Sequence, residues 1–301
     1  MTTFMGVPGP GGASGGANAV GAAVLGIPYE CVGHRPRTGA DQGPAAIREQ
    51  SALLRPYQPP HADFDPLQEL PLADWGDVAI PDAPVAEVYE AISAAVAAIL
   101  DAGAVPVGLG GDGSVTLPQL RAIAAVHGPL GLIHIDAHAD AGPGKAPGEL
   151  SPTTTFTRAA EEGLVDMDRA VNVGLRGTQR AAGAFDFAAG LGYENITGDE
   201  MFQRGIGETG AYLKERMGPA PVFLCFDMDF FDPSCAPGVC QPECGSPGAR
   251  EGLALLQSLA GLDFVGFDIN TVSPPHDVGG ITALLAARVG LECLALACQK
   301  T

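Results

Sequence analysis

Basic side chains are scarce in this chain: 16 Lys and Arg stand against 35 Asp and Glu, a formal net charge of -19. That balance excludes a phosphate-tracking surface, so neither nucleic acid nor an anionic membrane is an expected partner; small molecules and proteins are. No Lys or Arg precedes Arg35, so the opening stretch lacks the charged start of a secretory signal. No apolar run reaches the roughly 20 residues of a membrane helix. The nearest, ALLAARVGLECLALAC, carries Arg288 and Glu292. A cytoplasmic location is therefore expected.

Disulfide and zinc signals are equally thin. Seven cysteines is an odd number and fits reduced thiols better than a disulfide framework. Cys235, Cys240 and Cys244 are spaced C-x4-C-x3-C with no histidine nearby, a weak zinc pattern. Phosphate cradles are missing too. The stretch VGLGGDGSVTL reads as a strand, a glycine turn and a helix start, yet Gly108, Gly110, Gly111 and Gly113 match neither the Walker nor the dinucleotide pattern. Internal repeats and long internal linkers are absent. The first 18 residues are expected to form a flexible tail, 1–18, and residues 19–301 a single domain.

What is present is a repeated alternation of strand and helix signals. AVLGIPY, VPVGLGG, LGLIHID, VNVGLRG, VFLCFDMDF and LDFVGFDI are short, nearly continuous apolar runs. Such runs suit a parallel sheet covered on both faces. VAEVYEAISAAVAAIL sets Val85, Val88, Ile92, Val96 and Ile99 on one helical stripe. Further helices are expected after Ser114, Glu208, Ala249 and Gly280. The repetition predicts an α/β fold with a central, mainly parallel sheet and ligands at the C-terminal strand ends. The acidic, proline-rich stretch from Arg55 to Asp77 reads as a surface excursion.

Two of the apolar runs end in dense acidic groups. In LIHIDAHADAG, Asp136, His138 and Asp140 fall at alternate positions, which extended backbone would turn to one face; in FLCFDMDFFDP, Asp227 and Asp229 do the same. Four carboxylates and an imidazole gathered at strand ends repel one another unless protonated or neutralised by cations. A pair of divalent ions is the economical explanation, and oxygen ligands with histidine suit manganese, nickel, zinc or iron. An aspartyl-phosphate phosphatase also uses D-x-D after a strand. Here, however, Phe231 stands where that class places a small residue, and the first cluster would go unused.

The ordered segments GIPYE, RTGADQGPAAIR, GLGGDGS, IHIDAHAD, TTTFTRAAEEGLV, NVGLRG, FDMDFFDPSCAPG and GFDINTVSPPHDVGGITALLAARV together resemble the ureohydrolase family of arginases, agmatinases and related guanidine hydrolases. The resemblance implies a three-layer α/β/α arginase-like fold, a dinuclear metal site and a trimeric or hexameric assembly. It also exposes departures. The family pattern Gly-Gly-Asp-His-Ser has a metal-binding histidine where this chain has Gly113. Its Ser-His-Gly-Thr has a proton-shuttling histidine where this chain has Pro152, which has no transferable proton. Its substrate-pairing glutamate is replaced by Thr271.

Asp136, His138, Asp140, Asp227 and Asp229 match the remaining ligands, with Asp136, His138, Asp227 and Asp229 sufficient for one ion. His276 and Glu243 are the residues available to compensate; a satisfied surface histidine is the commoner role for the first. The pattern is similar to metformin hydrolases, whose hetero-oligomers pair a nickel-dependent catalytic subunit with a degenerate one. It implies a supporting subunit, assembled with an active ureohydrolase paralogue around nickel or manganese, and a small guanidine-type substrate. The alternatives are an independent agmatinase-like hydrolase with an atypical metal site and a guanidine-sensing binding module.

Overall fold

The computed structural model describes residues 2–10, 21–31, 37–58, 61–179, 182–245 and 247–300. Eight strands form one sheet: β1 (Ala22–Gly26), β2 (Leu72–Asp77), β3 (Val105–Leu109), β4 (Leu130–Ile135), β5 (Val165–Leu175), β6 (Glu194–Thr197), β7 (Val222–Asp227) and β8 (Phe264–Asn270). Their order is β2-β1-β3-β8-β7-β4-β5-β6, and every pairing is parallel. Helices cover both faces, giving the three-layer α/β/α architecture that the alternation predicts.

The central strands β4 and β7 each feed two cores. Along β4, Ile133 and Ile135 join one apolar cluster while Leu130 and Leu132 join the other. Along β7, Val222, Leu224 and Phe226 face the first, with Phe223 and Cys225 in the second. Side chains of a strand alternate between faces, so a sheet buried on both sides has no polar face to show. This is why the runs are continuously apolar rather than alternating.

The helix Val85–Asp101 buries Val88, Ile92, Val96 and Ile99 as its stripe predicts, adds Tyr89, and leaves Val85 half-buried. The C-terminal helix Ile281–Cys298 is long and apolar enough to cross a membrane, yet most of it is buried within the protein. Its apolarity all round is that of a core helix. Its Glu292 is buried against Arg288 and Gln257.

Two expectations need correction. The stretch Arg55–Asp77 is more than a surface excursion, because it ends in the edge strand β2, whose Leu72 and Ala73 are buried. Prolines and acids upstream hide a strand of only six residues. The flexible tail expected over 1–18 fails for its first part. Phe4 is 1% exposed, its backbone N–H donates to Asp74 Oδ2 at 2.7 Å, and Met5 N–H donates to Ser51 Oγ at 2.7 Å. One buried aromatic ring anchors a segment whose composition argues for disorder. Residues 11–18 lie outside the described residues.

Candidate metal centre

β4 and β7 are neighbours in the sheet, yet the chain leaves β4 on one side toward β5 and leaves β7 on the other toward β8, so its connections diverge between them. Open α/β sheets bind ligands in the crevice above such a point, at the C-terminal strand ends. The acidic residues gather there. Ile135 pairs with Phe226 and Asp227 with Asn270, which sets the end of β4 beside the ends of β7 and β8.

The residues do not sit on extended backbone, as the alternate spacing suggested. Asp136 follows the last residue of β4 in a bend, and Asp140 has φ 40°, a left-handed conformation uncommon outside glycine. Asp227 closes β7, and Asp229 lies in the 3-10 turn Met228–Phe230. These bends nonetheless converge the side chains. Asp136, His138 and Asp229 each offer a ligand atom within 4.8 Å of the others, as do Asp136, Asp140 and Asp227. All five expected residues are therefore brought together, with Asp136 common to both groups.

Charge is unevenly shared among them. His138 Nδ1 lies 3.3 Å from Asp136 Oδ1 and 3.2 Å from Asp229 Oδ1, and His134 Nε2 lies 3.0 Å from Asp136 Oδ2. Burial opposes ionisation of Asp136, but His134 and His138 outweigh it and hold this carboxyl well below its ordinary range. Burial pushes Asp229 up to about 6, against the pull of His138. Burial would lower His138; the charges of Asp229 and Asp136 raise it well above the usual imidazole value.

Both carboxylate oxygens of Asp229, Asp136 Oδ2 and His138 Nδ1 are buried and make no hydrogen bond among the described residues. Buried polar atoms are normally satisfied. Buried acceptors that converge on a shared point, with imidazoles at 3.0 to 3.3 Å as their close charged neighbours, fit a divalent cation, so this donor set suits the metal that its chemistry implies.

Several supporting residues were invisible to the sequence reading. His134 Nδ1 is 2.9 Å from Asn172 Oδ1, and Asn172 Nδ2 donates to Asn195 Oδ1 at 2.8 Å, a row running behind Asp136 that is buried at His134 and Asn172 and half-buried at Asn195. Arg176 donates to the backbone oxygens of Asp229 at 2.8 Å and Glu243 at 3.1 Å, placing a guanidinium beside the cluster. Burial lowers its proton affinity despite the neighbouring Asp229 charge. Only periodic or adjacent residues leave a local signal; these partners come from separate strands and loops.

The glycine turn has a structural role. Asp112 accepts from Ser114 N–H at 3.0 Å and from Cys31 N–H at 3.0 Å, tying the turn to the segment after β1. Gly111 presses on the Tyr29 carbonyl so closely that any Cβ would collide with that backbone. Gly111→Ala is expected to destabilise the chain by about 2 kcal/mol or more, read as a lower urea midpoint.

Next to the turn, Thr155 Oγ1 donates to Gly113 O at 3.0 Å, so the turn carrying Pro152 closes onto the turn carrying Gly113. Thr271 has φ 67°, and its hydroxyl donates to Asp227 Oδ1 while accepting from Met228 N–H at 3.1 Å. A cavity of about 190 Å³ opens beside the cluster, lined by His138, Asp140, Thr153, Gln179 and Gln241 among others.

The other candidates belong to neither metal group among the described residues. His276 lines a separate cleft of about 640 Å³ with Tyr29, Glu30 and Asp41. Glu243 accepts from Thr178 N–H at 3.2 Å. Cys235 is half-buried, Cys240 buried and Cys244 exposed; none of the three forms a disulfide or belongs to either candidate metal group.

Comparison with known proteins agrees with this geometry. Residues 20–296 match the family model described as the arginase family. A guanidinobutyrase of Pseudomonas aeruginosa is 38% identical over 277 residues, covering 92% of this chain and 86% of that one. The mitochondrial guanidino acid hydrolase of Homo sapiens is 36% identical over 274 residues, covering 91% and 77%. Among solved structures, proclavaminate amidino hydrolase from Streptomyces clavuligerus superposes with a TM-score of 0.92 at 33% identity, covering 100% of this chain and 98% of that one.

Proposed function

Because the chain belongs to the arginase family, we propose that it is the supporting subunit of a metal-dependent hydrolase. The complex acts on a guanidine or biguanide C–N bond, and an active paralogue supplies the complete centre in a trimer-based assembly. The observation that carries this reading is Thr271. Where the family resemblance expects a carboxylate to meet a guanidinium, a short hydroxyl turns inward and bonds Asp227 instead. Gly113 and Pro152 support the same reading, since neither side chain can bind a metal or move a proton.

Asp136, His138, Asp227 and Asp229 would hold one divalent ion, manganese or nickel. A second would have Asp136, Asp140 and Asp227, with no imidazole at Gly113. When bound, such an ion would supply Lewis-acid activation of the water that attacks the guanidine carbon. The chain's own residues do the rest of the work open to them. His134 and Arg176 offset the carboxylates, and Thr271 fixes Asp227.

The test is turnover of agmatine, 4-guanidinobutyrate and metformin by the purified chain, alone and mixed with an active paralogue, after loading with Mn²⁺ or Ni²⁺. The isolated chain is expected to release no product, and mixing to raise the paralogue's turnover or soluble yield. Turnover by the chain alone, lost in Asp227→Ala, would instead establish an independent agmatinase-like hydrolase. That reading draws on the cavity beside the cluster and on relatives named guanidinobutyrase and guanidino acid hydrolase. Thermal stabilisation by guanidines without product or assembly would mark a sensing module.

A further inference from the structure

Gln241 lies in the loop that follows β7, on the far side of His138 from the carboxylates. Its amide nitrogen is 2.8 Å from His138 Nε2, while His138 Nδ1 faces Asp136 and Asp229. The two residues are 103 positions apart in the chain. Their contact is held from the backbone: Val239 and Val272 form an antiparallel bridge, and Cys240 N–H donates to Thr271 O at 3.2 Å. Gln241 is thus delivered to the ring by a loop pinned to the end of β8, and it also lines the cavity beside the cluster.

We infer that Gln241 is a positioning residue for the metal centre: it holds the His138 ring in the tautomer and orientation that leave Nδ1 free for a cation. The inference rests on the proposal that Asp136, His138 and Asp229 bind a divalent ion. An imidazole that gives its Nδ1 lone pair to a metal carries its proton on Nε2, and ligand histidines hold that proton on a fixed acceptor. The amide of Gln241 has both a donor and an acceptor end and reaches both states of the ring by a half-turn about its last bond. With nitrogen toward Nε2 it serves the ring whose proton is on Nδ1; with oxygen toward Nε2 it serves the ring that binds metal. Any residue that retains an acceptor there keeps the second function, and an apolar residue of the same size loses it.

The experiment is calorimetric titration of the full chain with Mn²⁺, comparing wild type with Gln241→Leu and Gln241→Glu, each checked for an unchanged thermal midpoint without metal. Gln241→Leu is expected to bind roughly 10- to 100-fold more weakly. Gln241→Glu, which keeps the acceptor, is expected to bind at least as tightly as wild type with the same stoichiometry. Leucine and wild type agreeing within a factor of about three would overturn the inference. So would equal weakening by leucine and glutamate, because packing alone would then explain the loss. No Mn²⁺ binding by the wild-type chain would overturn the metal-centre reading itself, a result distinct from both.

Discussion

Asp136→Asn is expected to abolish divalent metal binding, weakening Mn²⁺ affinity by more than about 100-fold, beyond what loss of an outer-shell partner costs. Asp136 is the residue common to both candidate groups, so its loss removes a charged ligand from each. It is also fully buried and braced from both sides, by His134 at 3.0 Å and by His138 at 3.3 Å. Asparagine keeps the size and one acceptor while removing the charge, which separates loss of the ion from loss of the fold. Calorimetry with Mn²⁺, beside a far-ultraviolet spectrum, reads both. Wild-type affinity in this variant would show that the cluster is not a cation site.

Asp74→Ala is expected to cost about 3–5 kcal/mol of stability, the range for breaking a buried ion pair by removing one partner. Arg48 and Asp74 are each 2% exposed, and Arg48 donates to the Asp74 carboxylate at 2.8 and 2.9 Å. The same carboxylate accepts from Phe4 N–H at 2.7 Å and Gly76 N–H at 2.9 Å. Alanine leaves a buried guanidinium with Asp77 as its remaining carboxylate and frees the N-terminal segment. A thermal midpoint lowered by roughly 10 °C is the corresponding observation. The double replacement Arg48→Met with Asp74→Leu should recover much of the loss, because an apolar pair avoids the desolvation cost. A single mutant within 1 kcal/mol or so of wild type would mean that the pair contributes little.

The contrast between these two sites shows where sequence reading succeeds. Asp136, His138, Asp140, Asp227 and Asp229 are legible because each group is contiguous and ends an apolar run. Their local geometry was not, since bends at strand ends, rather than extended backbone, bring them together. The Arg48–Asp74 pair leaves no trace in either local segment. Asp74 lies in β2, a strand masked by the prolines before it, and Phe4 lies in a stretch dominated by glycine and alanine further along. His134 looked like one more residue of an apolar strand, and Gln241 like a loop residue; their partners are set by strand order. The helix Val85–Asp101 needed no such information, because its stripe is a local property of 3.6-residue periodicity.

The strand order also bears on how the chain comes together during synthesis. β7 and β8 are made last, yet they occupy the middle of the sheet between β3 and β4. Until they emerge from the ribosome, the chain can form only two separate half-sheets, β2-β1-β3 and β4-β5-β6. Each half then has an unpaired edge, at β3 and at β4, that invites pairing with other chains. Closing the gap means joining segments far apart in sequence, which is the slow kind of contact to make. Asp227 and Asp229 arrive with β7, which covers the β4 edge, so a nascent chain gains its full acidic cluster before β8 closes the remaining gap at β3.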